Sequence, residues 1–399
     1  MRPLHLAAAL LALTTSSTAA PSHSHRNRAC IDLDLEVSVT ANNSIYDVPR
    51  VDNNIDAVDW IWDMEAWTAP SVADRIKGVR RVDDTFAISA QLCVPGSSDG
   101  SDRGRILQIA THGFGFDKTY WDADFDHGKY SYVDAALKAG YSILTYDRLG
   151  VGKSDKPDAY DVVQAPVEVE VLKEITLLAR TGGLAELVRR KGRGGGGTTT
   201  TPQFEKVVLV GHSLGSAITL GVLAGHGDIV EGAVATGLIP TGELGSIGVR
   251  SFGLEHAESH DRARFQGRGS GYLVQATESN LQQIFFKKGD FDKRVLRYGA
   301  QIKETGTVGE FLSLGAVASQ AAPEYSGPVL FALAEYDFAT CAGNCTGAYD
   351  LETIKHDLLP GASDVRVHIQ PGSGHGLTLH LNATGHYQAI FDYLGGQGL

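Results

Sequence analysis

The stretch 206–224, with the sequence KVVLVGHSLGSAITLGVLA, decides the fold. Its first half is a β-branched apolar run typical of a buried strand, and its second half is compatible with a helix. Between them lies Gly211-x-Ser213-x-Gly215, in which glycine at both flanks lets neighbouring backbone approach without a Cβ clash. The pattern predicts a sharp strand-to-helix turn that presents Ser213 where free N–H groups favour developing negative charge. A chance match on a loop is the alternative.

Five further apolar runs resemble the first half of this stretch. Short continuous apolar runs that alternate with helical stretches are typical of a parallel sheet buried on both faces. We therefore predict the α/β class. The predicted strands are 106–111, 141–146, 206–210, 229–236, 328–334 and 365–370, and the predicted helices include 132–139, 167–190 and 386–394.

A serine nucleophile needs a base and an acid that orients the base, and two later loops supply candidates. Asp337 follows the run 328–334 and His375 follows the run 365–370, so both come at the carboxyl ends of predicted strands. Glu335 is the alternative acid and His380 the alternative base, and each lies less well relative to its strand end.

Backbone N–H groups that could stabilise an oxyanion are expected in two places. His112-Gly-Phe-Gly115 follows the predicted strand 106–111 directly, and Leu214 follows the candidate nucleophile at the start of a helix. We expect the N–H groups of Phe114 and Leu214 to be the donors. A plain tight turn is the alternative for 112–115.

Two other patterns do not support the sites that they suggest. The loop 147–154 contains Gly-Lys-Ser, but a phosphate-binding P-loop needs glycine where this chain has Asp147. His256 and His260 are one helical turn apart, yet the glutamate between them is misplaced for a zinc protease. We expect a structural turn and a solvated helix at these places, and neither a metal nor a cofactor.

The amino-acid composition and the net charge exclude some classes of binding partner. Of 399 residues, 43% are hydrophobic, which is enough to form one large core or two modest ones and excludes extensive disorder. The 47 acidic and 35 basic side chains give a net charge of -12, which phosphate backbones and anionic lipids would repel. We therefore expect no nucleic acid partner.

The N-terminus has the features of a secretory signal peptide. Arg2 precedes the apolar run 4–13, and small residues at 18–20 suit signal peptidase. The run is about half of the ~20 apolar residues that cross a bilayer, so we expect secretion without stable membrane insertion. A buried helix or a membrane anchor is the alternative. Three sequons fit this route, and we expect two to be glycosylated: Asn42, Asn344 and Asn382.

The four cysteines allow three pairings in an oxidising compartment. The closeness of Cys341 to Cys345 favours a local disulfide and leaves Cys30 to pair with Cys93. Cys30 opens one alternating apolar run and Cys93 closes another, so their disulfide would join two early strands. Free thiols are the alternative.

The pattern divides the chain into four parts. Residues 1–20 form the expected signal peptide, and residues 21–242 and 328–399 form the two parts of one core. Residues 243–327 are mostly helical in pattern and too long for a connection within an α/β unit, so we expect an inserted cap over the carboxyl edge of the sheet. The glycine-rich stretch 191–202 is expected to be a solvated loop. Aromatic residues of the cap include Phe285, Phe286, Phe291 and Tyr298.

With Ser213, Asp337 and His375 in this chain order after a His112-Gly113 loop, the sequence resembles the α/β-hydrolase superfamily over roughly residues 85–395. The resemblance implies helices on both faces of the sheet and a covalent mechanism. The serine would attack a carbonyl carbon, the histidine would act as base, the aspartate would fix its tautomer, and water would release the acyl group.

Finer features resemble a group of secreted fungal serine hydrolases of the AB hydrolase-1 type, some of which are encoded alongside polyketide pathways. These features are the early cysteine strands, the loop 112–121 and the ending 374–384. Epoxide hydrolases and haloalkane dehalogenases of this fold use aspartate as nucleophile, so the serine favours esters or lactones. The cap aromatics suggest an apolar small molecule as the partner.

Two other functions stay open. One is a tailoring hydrolase or cyclase acting on a polyketide-type metabolite, and the other is a non-catalytic binding protein of the same fold. Because a histidine base must be neutral, we expect activity to fall on acidification through about pH 6 to 7.

Overall fold

In the computed structural model, which describes residues 28–96, 102–123, 125–192, 203–239 and 251–399, an eight-stranded sheet forms the centre of the molecule. The expected signal peptide (1–20), most of the glycine-rich stretch (193–202) and the start of the expected cap (243–250) lie outside the described residues. The strands are β1 (Arg28–Tyr46), β2 (Ile76–Pro95), β3 (Ile106–Thr111), β4 (Ser142–Tyr146), β5 (Lys206–His212), β6 (Gly232–Thr236), β7 (Leu254–His256), β8 (Tyr272–Gln275), β9 (Gly306–Thr307), β10 (Val329–Ala334) and β11 (Val365–Gln370).

The strand order of the central sheet is β1-β2-β4-β3-β5-β6-β10-β11. The strands from β4 to β11 in this order pair in parallel, whereas β1 with β2 and β2 with β4 pair antiparallel. All six residues of β3 and of β10 are buried, as continuous apolar runs require. The predicted α/β class and the six predicted core strands are confirmed.

Two groups of helices pack against the sheet. Helices α3, α5 and α10 contact one another, and helices α2 and α13 form a second group that contacts β4, β10 and β11. The α-helices are α1 (Asn54–Glu65), α2 (Tyr132–Lys138), α3 (Ala165–Arg180), α4 (Gly183–Gly192), α5 (Leu214–His226), α6 (Ala257–His260), α7 (Arg262–Phe265), α8 (Glu278–Phe285), α9 (Lys293–Ile302), α10 (Val308–Ala318), α11 (Phe338–Cys341), α12 (Leu351–Thr353) and α13 (Ala383–Gly396). Short 3₁₀ helices lie at Ala73–Arg75, Asp102–Arg105, Lys118–Tyr120, Asp126–Gly128, Gly227–Ile229 and Leu377–Leu379, and a π-helical turn at Ile354–Leu358.

One predicted helix is two separate helices in the structure. The stretch 167–190 was expected as one helix, but α3 ends at Arg180 and α4 begins at Gly183. Gly182 between them has a φ of +81°, a left-handed conformation that an α-helix cannot contain.

The segment between β6 and β10 is less helical than its pattern indicated. Besides α6 to α9 it contains a three-stranded antiparallel sheet in the order β7-β8-β9, whose strands are only two to four residues long and therefore show no periodicity. Its last helix, α10, packs against α3 and α5 of the core.

Two disulfides join the cysteines as expected. Cys30 lies opposite Cys93 in the antiparallel register of β1 and β2, and the two form a disulfide. Cys341 and Cys345 form the local one. The first therefore fixes the start of β1 to the end of β2, next to the core strand β4.

The three sequons differ in exposure. Asn42 on β1 and Asn344 beside the second disulfide are exposed, whereas Asn382 is half-buried and donates to the carbonyl of Pro371. Within the described part of the chain, no helix has the length and apolar character that a membrane span needs.

Candidate active site

Ser213 occupies a strained turn between β5 and α5. Its φ of 54° is rare for a residue other than glycine, and it immediately precedes the first residue of the helix. A Cβ on Gly211 would lie 2.5 Å from the carbonyl oxygen of Gly215, and one on Gly215 would lie 2.1 Å from that of Thr111. Both flanking glycines are therefore required, and the turn presents the serine beside the end of β3.

Asp337 and His375 form a buried pair at the ends of β10 and β11. The Nδ1 atom of His375 and the Oδ2 atom of Asp337 are 2.7 Å apart, and both side chains are almost completely buried. The other carboxylate oxygen of Asp337 accepts from the N–H of Thr340 and caps α11. In the neutral imidazole this geometry favours the tautomer with the proton on Nδ1, which leaves Nε2 as the free ring nitrogen.

The alternative acid and base make other contacts. Glu335 accepts from the N–H of Gly372. His380 accepts from the N–H of Gly374 and has its second ring nitrogen 2.8 Å from the carbonyl oxygen of Gly376. The structure thus pairs His375 with Asp337, whereas Glu335 and His380 form hydrogen bonds with backbone groups.

The Nε2 atom of His375 is buried and has no hydrogen-bond partner among the described residues, Ser213 included. Its ring lies 4.8 Å, between centroids, from the ring of His212, the residue that precedes the serine. A Cβ on Gly237 would lie 3.2 Å from Cε1 of His375, so the ring is closely packed at the end of β6. An unpaired basic nitrogen in this place is available to take a proton.

The loop 112–115 lies against the serine turn. A Cβ on Gly113 would lie 3.0 Å from both the Cβ of Ser213 and the carbonyl oxygen of His212, so glycine is needed for this approach. His112 accepts from the N–H of Arg148 through Nε2, which holds the start of the loop. Leu214 is the first residue of α5, and its N–H therefore has no partner within the helix.

A sequence profile of the alpha/beta hydrolase family matches residues 109–385, which include the loop after β3, the serine turn, Asp337 and His375. The match covers more than half of the chain. The chain belongs to this family.

Among solved structures, this hydrolase is similar to a thermophilic esterase from Thermogutta terrifontis with malate bound, at 15% identity and a TM-score of 0.48, over 78% of this chain and 94% of that one. It is also similar to a monoacylglycerol lipase from Paleococcus ferrophilus, at 14% identity and a TM-score of 0.47, over 73% and 94% of the two chains. No curated protein matches the sequence.

A buried ion cluster beneath the loop 112–115 is a feature of this hydrolase that sequence reasoning missed. Arg148 donates to Glu168, at 2.6 Å, and to Glu310, and all three side chains are buried. Burial raises the pKa of Glu168, against the opposing effect of the Arg148 charge. Glu310 also closes the capping box of α10 with Thr307. The cluster joins the loop after β4 to α3 and α10.

The loop 147–154 is held as a turn by Asp147. Its carboxylate accepts from the Lys118 ammonium at 2.6 Å and from the backbone N–H of Lys153. A Cβ on Gly152 would lie 2.5 Å from that carboxylate, where glycine also has a positive φ. Asp147 therefore stabilises this turn, and the next residue is Arg148 of the buried ion cluster.

Phenylalanine rings pack beside the loop 112–115 and beside His375. The Phe114 ring lies 4.4 Å from Phe311 and 5.3 Å from Phe252, and Phe285 lies 5.2 Å from the His375 ring. The segment between β6 and β10 supplies Phe252, Phe285 and Phe311. Of these three only Phe285 was predicted as a cap aromatic, because single aromatic residues carry no pattern.

The histidines of the expected solvated helix contact other residues. His256 caps α6 through the N–H of Ser259, and His260 lies 2.7 Å from Glu255 and 3.0 Å from the Lys303 ammonium. Among the residues that the structure describes, no group of three or more histidine, cysteine, aspartate or glutamate side chains is placed to hold a metal ion.

Proposed function

We propose that this protein is a secreted serine hydrolase that cleaves a carboxylic ester or lactone through an acyl-enzyme intermediate. The observation that carries the proposal is the buried pair of Asp337 and His375, 2.7 Å apart, behind a serine held at a positive φ. Acyl transfer needs a nucleophilic serine, a histidine with a free ring nitrogen and a carboxylate that orients the histidine.

In the first half of the reaction, the oxygen of Ser213 bonds to the carbonyl carbon and its proton passes to Nε2 of His375. The imidazolium is stabilised by Asp337, and the oxyanion accepts from the N–H groups of Phe114 and Leu214. The carbon–oxygen bond to the leaving group then breaks, and the alkoxide leaves with the proton from Nε2.

In the second half, a water molecule attacks the acyl carbon and gives its proton to Nε2. The bond to the serine oxygen breaks, the serine takes the proton back, and the carboxylic acid leaves. No step needs a metal or a cofactor. The phenylalanine rings beside the site support an apolar acid or alcohol part in the substrate.

The proposal is tested by labelling the purified protein with a fluorophosphonate probe, followed by turnover of p-nitrophenyl esters of increasing chain length. We expect labelling and turnover in the wild type and neither in Ser213→Ala. Ser216→Ala is the matched control, because Ser216 lies in the first turn of α5, close to Ser213 in the chain, but its hydroxyl donates to the carbonyl of Thr236. Its labelling should match the wild type.

Other outcomes point to the other functions. Labelling without turnover of any simple ester would favour a tailoring hydrolase or cyclase of polyketide-type metabolites, which five neighbouring phenylalanine rings would also suit. Absence of labelling in folded protein would overturn the serine mechanism and favour a binding protein.

Secretion is supported by the signal-like N-terminus and by two disulfides, which persist in oxidising compartments. Expression with the full N-terminus should give a secreted protein that begins near residue 21 on N-terminal sequencing. Treatment with an endoglycosidase should lower its mass, and a protein that stays in the cell with residues 1–20 would contradict this part of the proposal.

A further inference from the structure

His380 lies five residues after His375 and is buried in the same loop. Its Nε2 atom accepts two backbone hydrogen bonds, from Gly374 at 2.9 Å and from Lys287 at 3.1 Å. Its Nδ1 atom lies 2.8 Å from the carbonyl oxygen of Gly376. Because two N–H donors point at Nε2, the proton must be on Nδ1, which donates to Gly376.

These hydrogen bonds fix the backbone on both sides of His375 in the chain. Gly374 and Gly376 are its two chain neighbours, so one imidazole fixes the N–H before it and the carbonyl after it. The orientation of the His375 side chain depends on this backbone. A shift of about 1 Å in a catalytic group can cost on the order of 100-fold in rate.

The same loop is bonded to the end of α8, in the segment between β6 and β10. The N–H of Gly376 donates to the carbonyl of Phe285 at 2.9 Å, and Nε2 of His380 takes the N–H of Lys287. A Cβ on Gly374 would lie 2.9 Å from that same N atom of Lys287, so glycine is needed for the contact. The ring of Phe286 stacks on His380 at 5.6 Å.

We propose that His380 is a positioning residue for His375. Its hydrogen bonds hold the loop 374–380 in place relative to Ser213 and join this loop to residues 285–287. The inference rests on the proposed function, because it assigns a task to His380 in the reaction of His375. His380 was the alternative base, and its two ring nitrogens are instead engaged with backbone groups.

The neutral form that these bonds require is maintained by the surroundings. Burial is the main cause that lowers the pKa of His380 to about 4. The hydrogen bond to Gly376 and the charges of Asp290 and Asp337 raise this pKa by smaller amounts, and His375 lowers it. The ammonium of Lys287, whose backbone N–H donates to His380, lies over the Tyr336 ring. His380 therefore stays an acceptor at the pH values at which a histidine base works.

The test uses the full-length protein, and the readout is the second-order rate of fluorophosphonate labelling of Ser213 together with the melting temperature. His380→Phe keeps a ring against Phe286 but removes the donor and the acceptor, and we expect its labelling rate to fall by about 100-fold. His380→Gln offers an amide oxygen to the N–H groups but loses the bond to Gly376, and we expect a fall of about 10-fold.

His386→Phe is the matched control. His386 is also a buried histidine, it lies on α13, and neither of its ring nitrogens has a hydrogen-bond partner among the described residues. Its labelling rate should equal that of the wild type. Ester turnover gives the second readout, in which His380→Phe should lower kcat and leave KM unchanged, because the binding surface is intact.

A wild-type labelling rate in either folded His380 variant would overturn the proposal, as would a raised KM with unchanged kcat. If His380→Phe does not fold, the rate of His380→Gln decides. Failure of the proposed function has a different signature, namely no labelling of the folded wild type, or labelling that persists in Ser213→Ala.

Discussion

The carboxylate of Asp337 accepts from two groups at once, the Nδ1–H of His375 and the backbone N–H of Thr340. In Asp337→Asn the amide oxygen can keep the bond to Thr340, but the amide NH₂ then faces Nδ1 and favours the wrong histidine tautomer. We expect kcat for ester hydrolysis to fall by about 10⁴-fold with little change in melting temperature.

Glu335→Gln is the control for this prediction, because its amide oxygen can still accept from the N–H of Gly372. Steady-state turnover should fall by less than about 10-fold in this variant. A larger loss in Glu335→Gln than in Asp337→Asn would make Glu335 the functional acid.

The close packing of position 113 against the turn at Ser213 favours glycine there. In Gly113→Ala the new methyl group would lie 3.0 Å from the Cβ of Ser213 and from the carbonyl oxygen of His212, so one backbone segment must move. Because the adjacent Phe114 N–H is a proposed oxyanion donor, we expect kcat to fall by about 100-fold and KM to change little.

Gly225→Ala is the matched control for steady-state kinetics. It lies near the end of α5 with open space around it, and alanine should raise helix stability by up to about 1 kcal/mol without affecting turnover. Equal turnover in Gly113→Ala and Gly225→Ala would show that the close approach has no catalytic role.

Three elements meet at Arg148, which follows β4 and contacts Glu168 on α3 and Glu310 on α10. Arg148→Met removes the cation and leaves two carboxylates buried together. We expect urea denaturation to show a loss of about 3–5 kcal/mol in the free energy of unfolding. The half-buried pair of Arg180 and Glu231 is the comparison, and Arg180→Met should cost no more than about 1 kcal/mol. Equal losses in the two variants would contradict this prediction.

Elements with a local pattern could be predicted and elements with a tertiary cause could not. The strands β3, β5 and β10 are mostly apolar, buried runs, and the loops of Ser213 and Asp337 follow β5 and β10 directly. The cluster of Arg148, Glu168 and Glu310 spans 162 residues, and only the packing of α3 and α10 brings its members together.

Segments with short or exposed strands were predicted least well. The first half of β2 is largely exposed and rich in charged residues, so its apolar alternation begins only near Phe86. The strands β7 to β9 are too short to show a period. Pairing with a neighbour, and not the local sequence, forms these strands.

The whole molecule should lose stability in acid because it buries neutral histidines. Burial lowers the pKa of His380 to about 4 and that of His386 to about 3. The unfolded chain takes up protons near its ordinary histidine pKa of about 6.5, whereas the folded protein does not. The free energy of unfolding should therefore fall by several kcal/mol as the pH is lowered from about 6.5 to about 3.

Urea denaturation at a series of pH values tests this dependence. In His386→Phe one of these histidines is absent, so the curve should be flatter over the same range. A stability that stays constant between pH 6.5 and pH 4 would show that these histidines do not determine the acid response.

The segment between β6 and β10 is hydrogen-bonded to two loops of the candidate site, since the backbone N–H of Glu304 donates to the carbonyl of Gly115 and the carbonyl of Phe285 accepts from the N–H of Gly376. An engineer who grafted residues 251–307 from a relative to alter selectivity would also replace the residues that hold the loops 112–115 and 374–380. Recombination at these boundaries should therefore yield few active chimeras unless residues 112–115 and 374–380 are transplanted with the graft. If the proposed function holds, selectivity and turnover would therefore have to be exchanged together.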